Sequence, residues 1–593
     1  MQRHLLALTA SVLCLAALTG TAGATDTPTP SPTAVQSAAQ LAGSVQAAAA
    51  EAISAQYHPE NTSISTRTMS PGDDGSVDQS NNSGAAALAA NGNDTDQDVE
   101  QNADGLSDGT AVQDAAQAAL NGQLAKAAAE SIQIAPENEA ISTDTKTPGD
   151  GGSVEQENNS GAAALAGNKN DTDQTAAQSQ GGDGSGTAVQ SAAQKAANAQ
   201  AAAAEAASIQ IAPENTTVAS GIKGHEAGKG HENGKAHEYD KSDRGKAHEY
   251  DKSDRGKGHG DDKSYGSDGS VDQHNNSGAA ALAGNKNDTD QTAAQSQGGA
   301  GSGTGVQAAG QKAANVQAAD ASALSKQIAP ENTNISTRIF SPGDGGSVSQ
   351  SNNSAAGAIA ANGNDTDQGV AQSQGGGSGT GVQASGQEAL SKQAARAEAA
   401  SIQVKPVNKY ISVRIFSPGN DGAVSQSNNS WAGALAANKN ETDQSAGQSG
   451  GAGSGTGVQS AGQAAANLQS AAASAVSKQI EPQNVFISVR IFSPGDNGAV
   501  SQSNNSWAGA AALNGNALWQ GIRQGGGHSS RPPNDHSEPK APVKCQRACQ
   551  HPCEQECYEP RKHGSCDDPC LGKGHQVCRK ATCYPGSERP MLM

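Results

Sequence analysis

Between Val348 and Gln368 every second residue belongs to a narrow set: Val348, Gln350, Asn352, Ser354, Ala356, Ala358, Ala360, Asn362, Asn364, Thr366 and Gln368. The string recurs from Val424 to Gln444, where Gln426, Asn428, Ser430, Asn438, Asn440, Thr442 and Gln444 hold the same places. About six copies are spread along the chain. In the last, Gln502, Asn504, Ser506, Asn514, Asn516 and Gln520 keep the face and Leu518 breaks it. Period two places alternate side chains on one face of extended β-structure. A face of amides, hydroxyls and methyls is poor material for an oily core, but Asn and Gln form ladders when strands stack in register. These ladder positions are the candidate functional residues, as architecture and not as chemistry. A run of about 21 residues exceeds an ordinary strand. A bend is therefore expected at Asn91-Gly92 or Asn362-Gly363, giving one rung of a β-solenoid or two strands of a sheet.

The surrounding segments recur with a period of about 75 to 80 residues, the mark of a repeat architecture. In one unit, Ile411, Val413 and Ile415 alternate with Ser412, Arg414 and Phe416, which predicts a half-buried strand. Ser417-Pro418-Gly419-Asn420 then predicts a turn, with Pro fixing φ and Gly accepting a positive φ. A Gly-rich piece, 450–457, leads into an Ala/Gln-rich segment from Val458 to Lys478. That segment has high helix propensity without an apolar stripe, so it reads as a helical or unstructured spacer. The fold class is a mostly β repeat protein, a β-solenoid or stacked hairpins with such spacers. Repeats are expected at 49–130, 131–207, 208–326, 327–400, 401–478 and 479–524. A Pro/Ala-rich linker, 25–48, precedes them and a Gly/Ser/Pro-rich linker, 525–544, follows. Segment 221–266 interrupts the third copy with charges of both signs and almost no apolar residues, which predicts a disordered insertion.

Composition agrees with a fold that lacks a conventional core. The chain has 593 residues, 72 of them Gly, aromatics are 2% and the formal charge is −20. Residues 1–24 pair a charged start with an apolar run, Leu5–Leu18, and end Ala22-Gly23-Ala24, the pattern of a secretory signal peptide. The run is too short to span a membrane comfortably. The expected location is therefore extracellular or at the cell surface, with no membrane span after cleavage. The acidic balance argues against a nucleic-acid partner.

Cys545, Cys549, Cys553, Cys557, Cys566, Cys570, Cys578 and Cys583 crowd the end of the chain, 545–593. An even set in a short exported stretch predicts a disulfide-bonded tail of undetermined pairing. His551, His563 and His575 lie among them, but the short Cys-x₂-Cys knuckles of zinc sites are absent. The Gly-rich pieces do not run in tandem as calcium-binding nonapeptides do, and Asn-x-Asn-Asp-Thr-Asp lacks the Gly and closing Glu of an EF-hand loop. Sequons such as Asn81-Asn82-Ser83 follow from composition. No nucleophile elbow, phosphate loop or catalytic carboxylate pair stands out, so no enzyme, metal or cofactor is expected.

The Gln-x-Asn-x-Ser-x-Ala face closed by Asn-x-Asn-x-Thr-x-Gln resembles curlin-type repeats, and its SPGDNG-V-QSN segments are similar to those of secreted actinobacterial repeat proteins. Curlin repeats follow one another directly, whereas Gly- and Ala-rich segments intervene here. The resemblance implies an extracellular functional amyloid that self-associates into fibre or matrix. A second reading is adhesion to polysaccharide, mineral or ice through the Thr/Asn face. A third is a largely disordered wall spacer.

Overall fold

The computed structural model describes residues 33–69, 75–103, 109–145, 152–181, 185–222, 269–298, 301–451 and 453–525. The expected signal peptide, most of the charged insertion and the cysteine-rich tail lie outside the described residues. Each of six rungs contains three strands. The first is long: β1 (Thr33–Tyr57), β4 (Thr110–Ile134), β7 (Thr187–Ile211), β10 (Thr304–Ile328), β13 (Thr380–Val404) and β16 (Thr456–Ile480). The second is short: β2 (Glu60–Thr68), β5 (Glu137–Thr145), β8 (Glu214–Ile222), β11 (Glu331–Ile339), β14 (Val407–Ile415) and β17 (Gln483–Ile491). The third is long again: β3 (Val77–Ala103), β6 (Val154–Gln180), β9 (Val271–Gln297), β12 (Val348–Gln374), β15 (Val424–Gly450) and β18 (Val500–Gly525).

Corresponding strands of successive rungs pair in parallel, which makes three six-stranded sheets in a β-solenoid-like stack. Register is exact residue for residue: Asn81 pairs Asn158, Asn158 pairs Asn275, Asn275 pairs Asn352. The offset is 77 residues between early rungs and 76 between late ones. It is 117 from rung 2 to rung 3 in the third sheet and from rung 3 to rung 4 in the other two, yet the pairing is unchanged. The strands on either side of the insertion therefore pair as the uninterrupted repeats do.

Several expectations are corrected here. The Ala/Gln-rich segments are not helical spacers: 456–480 is β16, and no helix occurs among the described residues. Alanine's helix preference is a fraction of a kcal/mol per residue and yields to in-register pairing with two neighbours. The linker assigned to 25–48 is strand from Thr33 onward, so the first rung starts before residue 49. No bend falls at Asn91-Gly92 or Asn362-Gly363, which sit inside unbroken 27-residue strands. The bends lie elsewhere, at corners where a non-Gly residue takes a left-handed φ. Ala135, Ala212, Ala329 and Lys405 do so at one corner, Met69, Phe340, Phe416 and Phe492 at the other. Such a conformation costs roughly 1–2 kcal/mol for an L-residue. At the second corner stacking offsets it, with Phe340 and Phe416 ring centroids 5.1 Å apart and Phe416 and Phe492 5.0 Å apart. Gly419 has φ of +131°, as the turn requires.

Within a rung, the first two strands form one layer and the third strand runs back beside them as the other. Ser54 meets Ser83 (2.9 Å), Gln40 Nε2 donates to the Asp98 carbonyl (2.8 Å) and Asn61 Nδ2 donates to Asn81 (2.9 Å). At about 3.3 Å per residue the long strands reach roughly 80–90 Å, while six rungs at about 4.8 Å make a stack only about 25 Å deep. The apolar core between the layers is almost wholly alanine, including Ala127, Ala166, Ala204, Ala321, Ala358, Ala397 and Ala436. The expected strand at 411–416 exists, but its faces are inverted. Asn408, Tyr410, Ser412 and Arg414 point inward and are buried, while Ile411, Val413 and Ile415 take the outer face.

Candidate functional site

The candidate residues sit where period two placed them, on the inner face of the third sheet. Gln350, Asn352, Ser354, Asn362, Asn364, Thr366 and Gln368 are all buried, as are Gln426, Asn428, Ser430, Asn438, Asn440, Thr442 and Gln444. Each belongs to a column of identical residues. Asn352 Nδ2 donates to Asn428 Oδ1 (2.9 Å), and Asn364 Nδ2 to Asn440 Oδ1 (2.8 Å). Gln350, Gln426 and Gln502 are linked at 2.6–2.8 Å, and so are Gln368, Gln444 and Gln520 at 2.6–2.7 Å. Ser354 and Ser430 bond to Ser401 between the layers, each at 2.8–2.9 Å. The threonine column ends where Leu518 pairs with Thr442.

The columns are polar in a uniform sense. Inner asparagines donate toward the C-terminal neighbour: Asn81 to Asn158, Asn158 to Asn275, and so on to Asn504. Glutamines donate the other way: Gln156 to Gln79, Gln273 to Gln156, Gln350 to Gln273. Glutamine amides also reach the backbone of the opposite layer, as Gln117 Nε2 does to the carbonyls of Gln97 (2.8 Å) and Thr175 (2.9 Å). Most buried amides therefore have partners above, below or across, as a buried polar group requires, while the Gln180 and Gln297 oxygens at the strand ends have none.

Half of the ladder is missed by the sequence reading. The first sheet carries its own columns through Gln383, Gln387, Gln393 and Gln403, and the short sheet carries Asn332 and Asn408. The signal was present: in β1, Gln36, Gln40, Gln46 and Gln56 all share one parity, hidden among alanines.

The outer face of the third sheet bears two carboxylate columns. Asp94, Asp171, Asp288, Asp365 and Glu441 make one, and Asp96, Asp173, Asp290, Asp367 and Asp443 the other; both stop at rung 6, with Ala517 and Trp519. Partial burial, then the like charges of Asp290 and Asp443, push the Asp367 carboxyl up to about 6. Asp173, Asp290, Asp365 and Asp443 are raised for the same first reason. Trp431 and Trp507 stack on this face with centroids 5.6 Å apart.

The same ladder residues that are buried in rung 5 are exposed in rung 6: Gln502, Asn504, Ser506, Asn514, Asn516 and Gln520 lie on the outermost strand. Among the described residues, β16, β17 and β18 have a neighbour on one side only, and so do β1, β2 and β3. The eight predicted disulfide cysteines lie outside the described residues. Among the described residues no group of three or more His, Cys, Asp or Glu is arranged to hold a metal ion. Nor is any helix there long and apolar enough to cross a membrane. No protein-family model, curated protein or solved structure matches this chain.

Proposed function

We propose that the chain is an exported structural protein that self-associates through its Asn/Gln/Ser/Ala β-repeats to build an extracellular fibre, matrix or surface coat. One observation carries the reading. The interior is held by amide columns running along the stack, and the stack ends in two edges whose strands have no outer partner among the described residues. Such edges template further pairing unless they are blocked. The role is architectural, with the ladder residues as its working parts. Export rests on the leader-like residues 1–24 and the cysteine spacing of the tail. The adhesion reading is weaker for a specific reason: the regular Thr/Asn face that would meet polysaccharide, mineral or ice is buried, with Asn352 at 0% and Thr366 at 2% exposure.

The test is assembly of the purified mature chain against concentration, followed by sedimentation, electron microscopy and thioflavin fluorescence. Expected is a critical concentration above which fibres or sheets form, with reflections near 4.8 Å along the growth axis. The sedimentation arm matters because one folded chain already contains stacked rungs. A chain that stays monomeric at every concentration overturns the proposal.

A further inference from the structure

The two open edges are not alike, and their differences are complementary. We propose that copies of this chain join head to tail, with rung 6 of one copy stacked in register on rung 1 of the next. This deepens the self-association reading and rests on it.

Charge points first to the pairing. The strands of rung 1 carry seven carboxylates and one arginine; those of rung 6 carry three cations and no carboxylate. Like-ended junctions would set acid against acid or cation against cation. The head-to-tail junction opposes them, and one column does so directly. Glu100 and Arg523 occupy the same column, separated through the intervening rungs by Ala177, Ala294, Ala371 and Gly447. In register they become neighbours across the junction, about 4.8 Å apart along the backbone. The carboxylate columns meet Ala517 and Trp519 there, so they are not extended.

Apolar residues point the same way. One column reads Val45, Gly122, Ala199, Val316, Lys392, Leu468, and another Ile53, Glu130, Ala207, Leu324, Ala400, Val476. Both ends are aliphatic although the rungs between include Gly, Lys and Glu. These terminal side chains are exposed, Val45 by 57% and Leu468 by 62%. The junction buries Leu468 on Val45 and Val476 on Ile53. Amide polarity also continues: asparagines of rung 6 offer donors to asparagine oxygens of rung 1, and rung 6 glutamines offer oxygens. One column opposes the match, since Arg490 falls over Arg67, whose charge Asp144 already engages at 2.9 Å. A rung cross-section on the order of 1,500 Å² exceeds the roughly 800 Å² per partner of a standard interface.

The experiment uses the full chain with Arg523→Glu, Glu100→Arg, both together, and the two single variants mixed. Expected is a rise of roughly three- to tenfold in critical concentration for each single variant, from a like-charge contact at a partly exposed site. The double variant and the mixture return to within about twofold of the parent. Amide exchange in β1–β3 and β16–β18 slows on assembly. If the parent assembles but the single variants match it and both edges exchange as in the monomer, the head-to-tail junction is wrong and self-association stands. If the chain stays monomeric, self-association itself fails. Edges already protected in that monomer would mean that another segment of the chain covers them.

Discussion

Arg414 Nε donates to Asp421 Oδ1 at 2.6 Å, and both side chains are almost wholly buried. The pair closes the corner between β14 and β15. The guanidinium also donates to the carbonyls of Gly343 (2.8 Å) and Asn420 (2.7 Å), so it ties rung 5 to rung 4. Ser412 and Ser488 donate to the carboxylate, at 3.0 and 2.9 Å. Burial alone would raise the Asp421 pKa, but the hydrogen bonds from Ser488 and Arg414 outweigh it and hold the carboxyl below its usual value.

Breaking this pair should destabilise the last rungs. Arg414→Met removes one of two cations at this carboxylate, since Arg490 Nη1 lies 3.3 Å from Asp421 Oδ2, and is expected to cost about 1.5–3 kcal/mol through the lost charged hydrogen bond. The check is amide exchange at β14, β15 and β17, read against β4 and β6. Unchanged protection at this corner would show that water replaces the guanidinium at no cost.

The alanine layer should resist enlargement on one face only. Ala358 is 1% exposed and meets alanines of the facing layer. Ala358→Leu should cost about 1–3 kcal/mol through overpacking. Ile359, one residue on, lies on the outer face, and Ile359→Ala should stay within about 0.5 kcal/mol. Denaturant midpoints of the two variants give the comparison. Equal effects would mean that the layers are not in contact at this column.

Acid should strengthen the stack before it weakens it. Asp367, Asp290, Asp365, Asp173 and Asp443 have raised pKa values in the folded chain, Asp367 about 6. The folded state thus binds their protons more tightly than the unfolded state. For Asp367 the penalty is absent below the unfolded value near 3.9 and complete above about 6, and the other four shift in the same direction. Thermal stability should therefore rise as pH falls from 7 toward 4–5. Asp421 has the opposite shift, so its contribution is lost as pH falls below the ordinary carboxylate range. Melting temperatures between pH 3 and 7 should pass through a maximum. In Asp367→Asn the rise should be smaller, while a flat profile in the parent would discount the carboxylate columns.

Removing the charged insertion should leave the fold alone. The register of β6 against β9 is the same as that of β3 against β6, although the offset is 117 in one case and 77 in the other. Deleting residues 226–265 restores the shorter offset. The far-ultraviolet spectrum and melting temperature are expected to match the parent within error. A loss of cooperativity would assign the insertion a structural part.

How much of this was legible in the sequence depends on what masks a period of two. Gln350 to Gln368 stood out because amides and hydroxyls fill nearly every second place. In β16 the same period is carried by Gln459, Gln463, Gln469 and Gln479, diluted by alanines on both faces, so that helix propensity is the stronger local signal. Propensity describes an isolated segment, whereas these strands are fixed by two in-register neighbours. The strand at Ile411 was found and its faces reversed. Apolar alternation normally marks the inner face, but here the inner volume is taken by Asn408, Tyr410 and Arg414. The Arg414–Asp421 pair could not be read, since its members lie seven positions apart across a corner and nothing in the pattern says that both turn inward.

The identity of the columns has a consequence for how such a chain can change over generations. Every internal rung shows its two neighbours the same amides, so an internal rung could be duplicated or lost without creating a new kind of interface. Unequal recombination between near-identical repeats would then lengthen or shorten the stack in whole steps. The terminal rungs, with Glu100 at one end and Arg523 at the other, are the parts such events must spare.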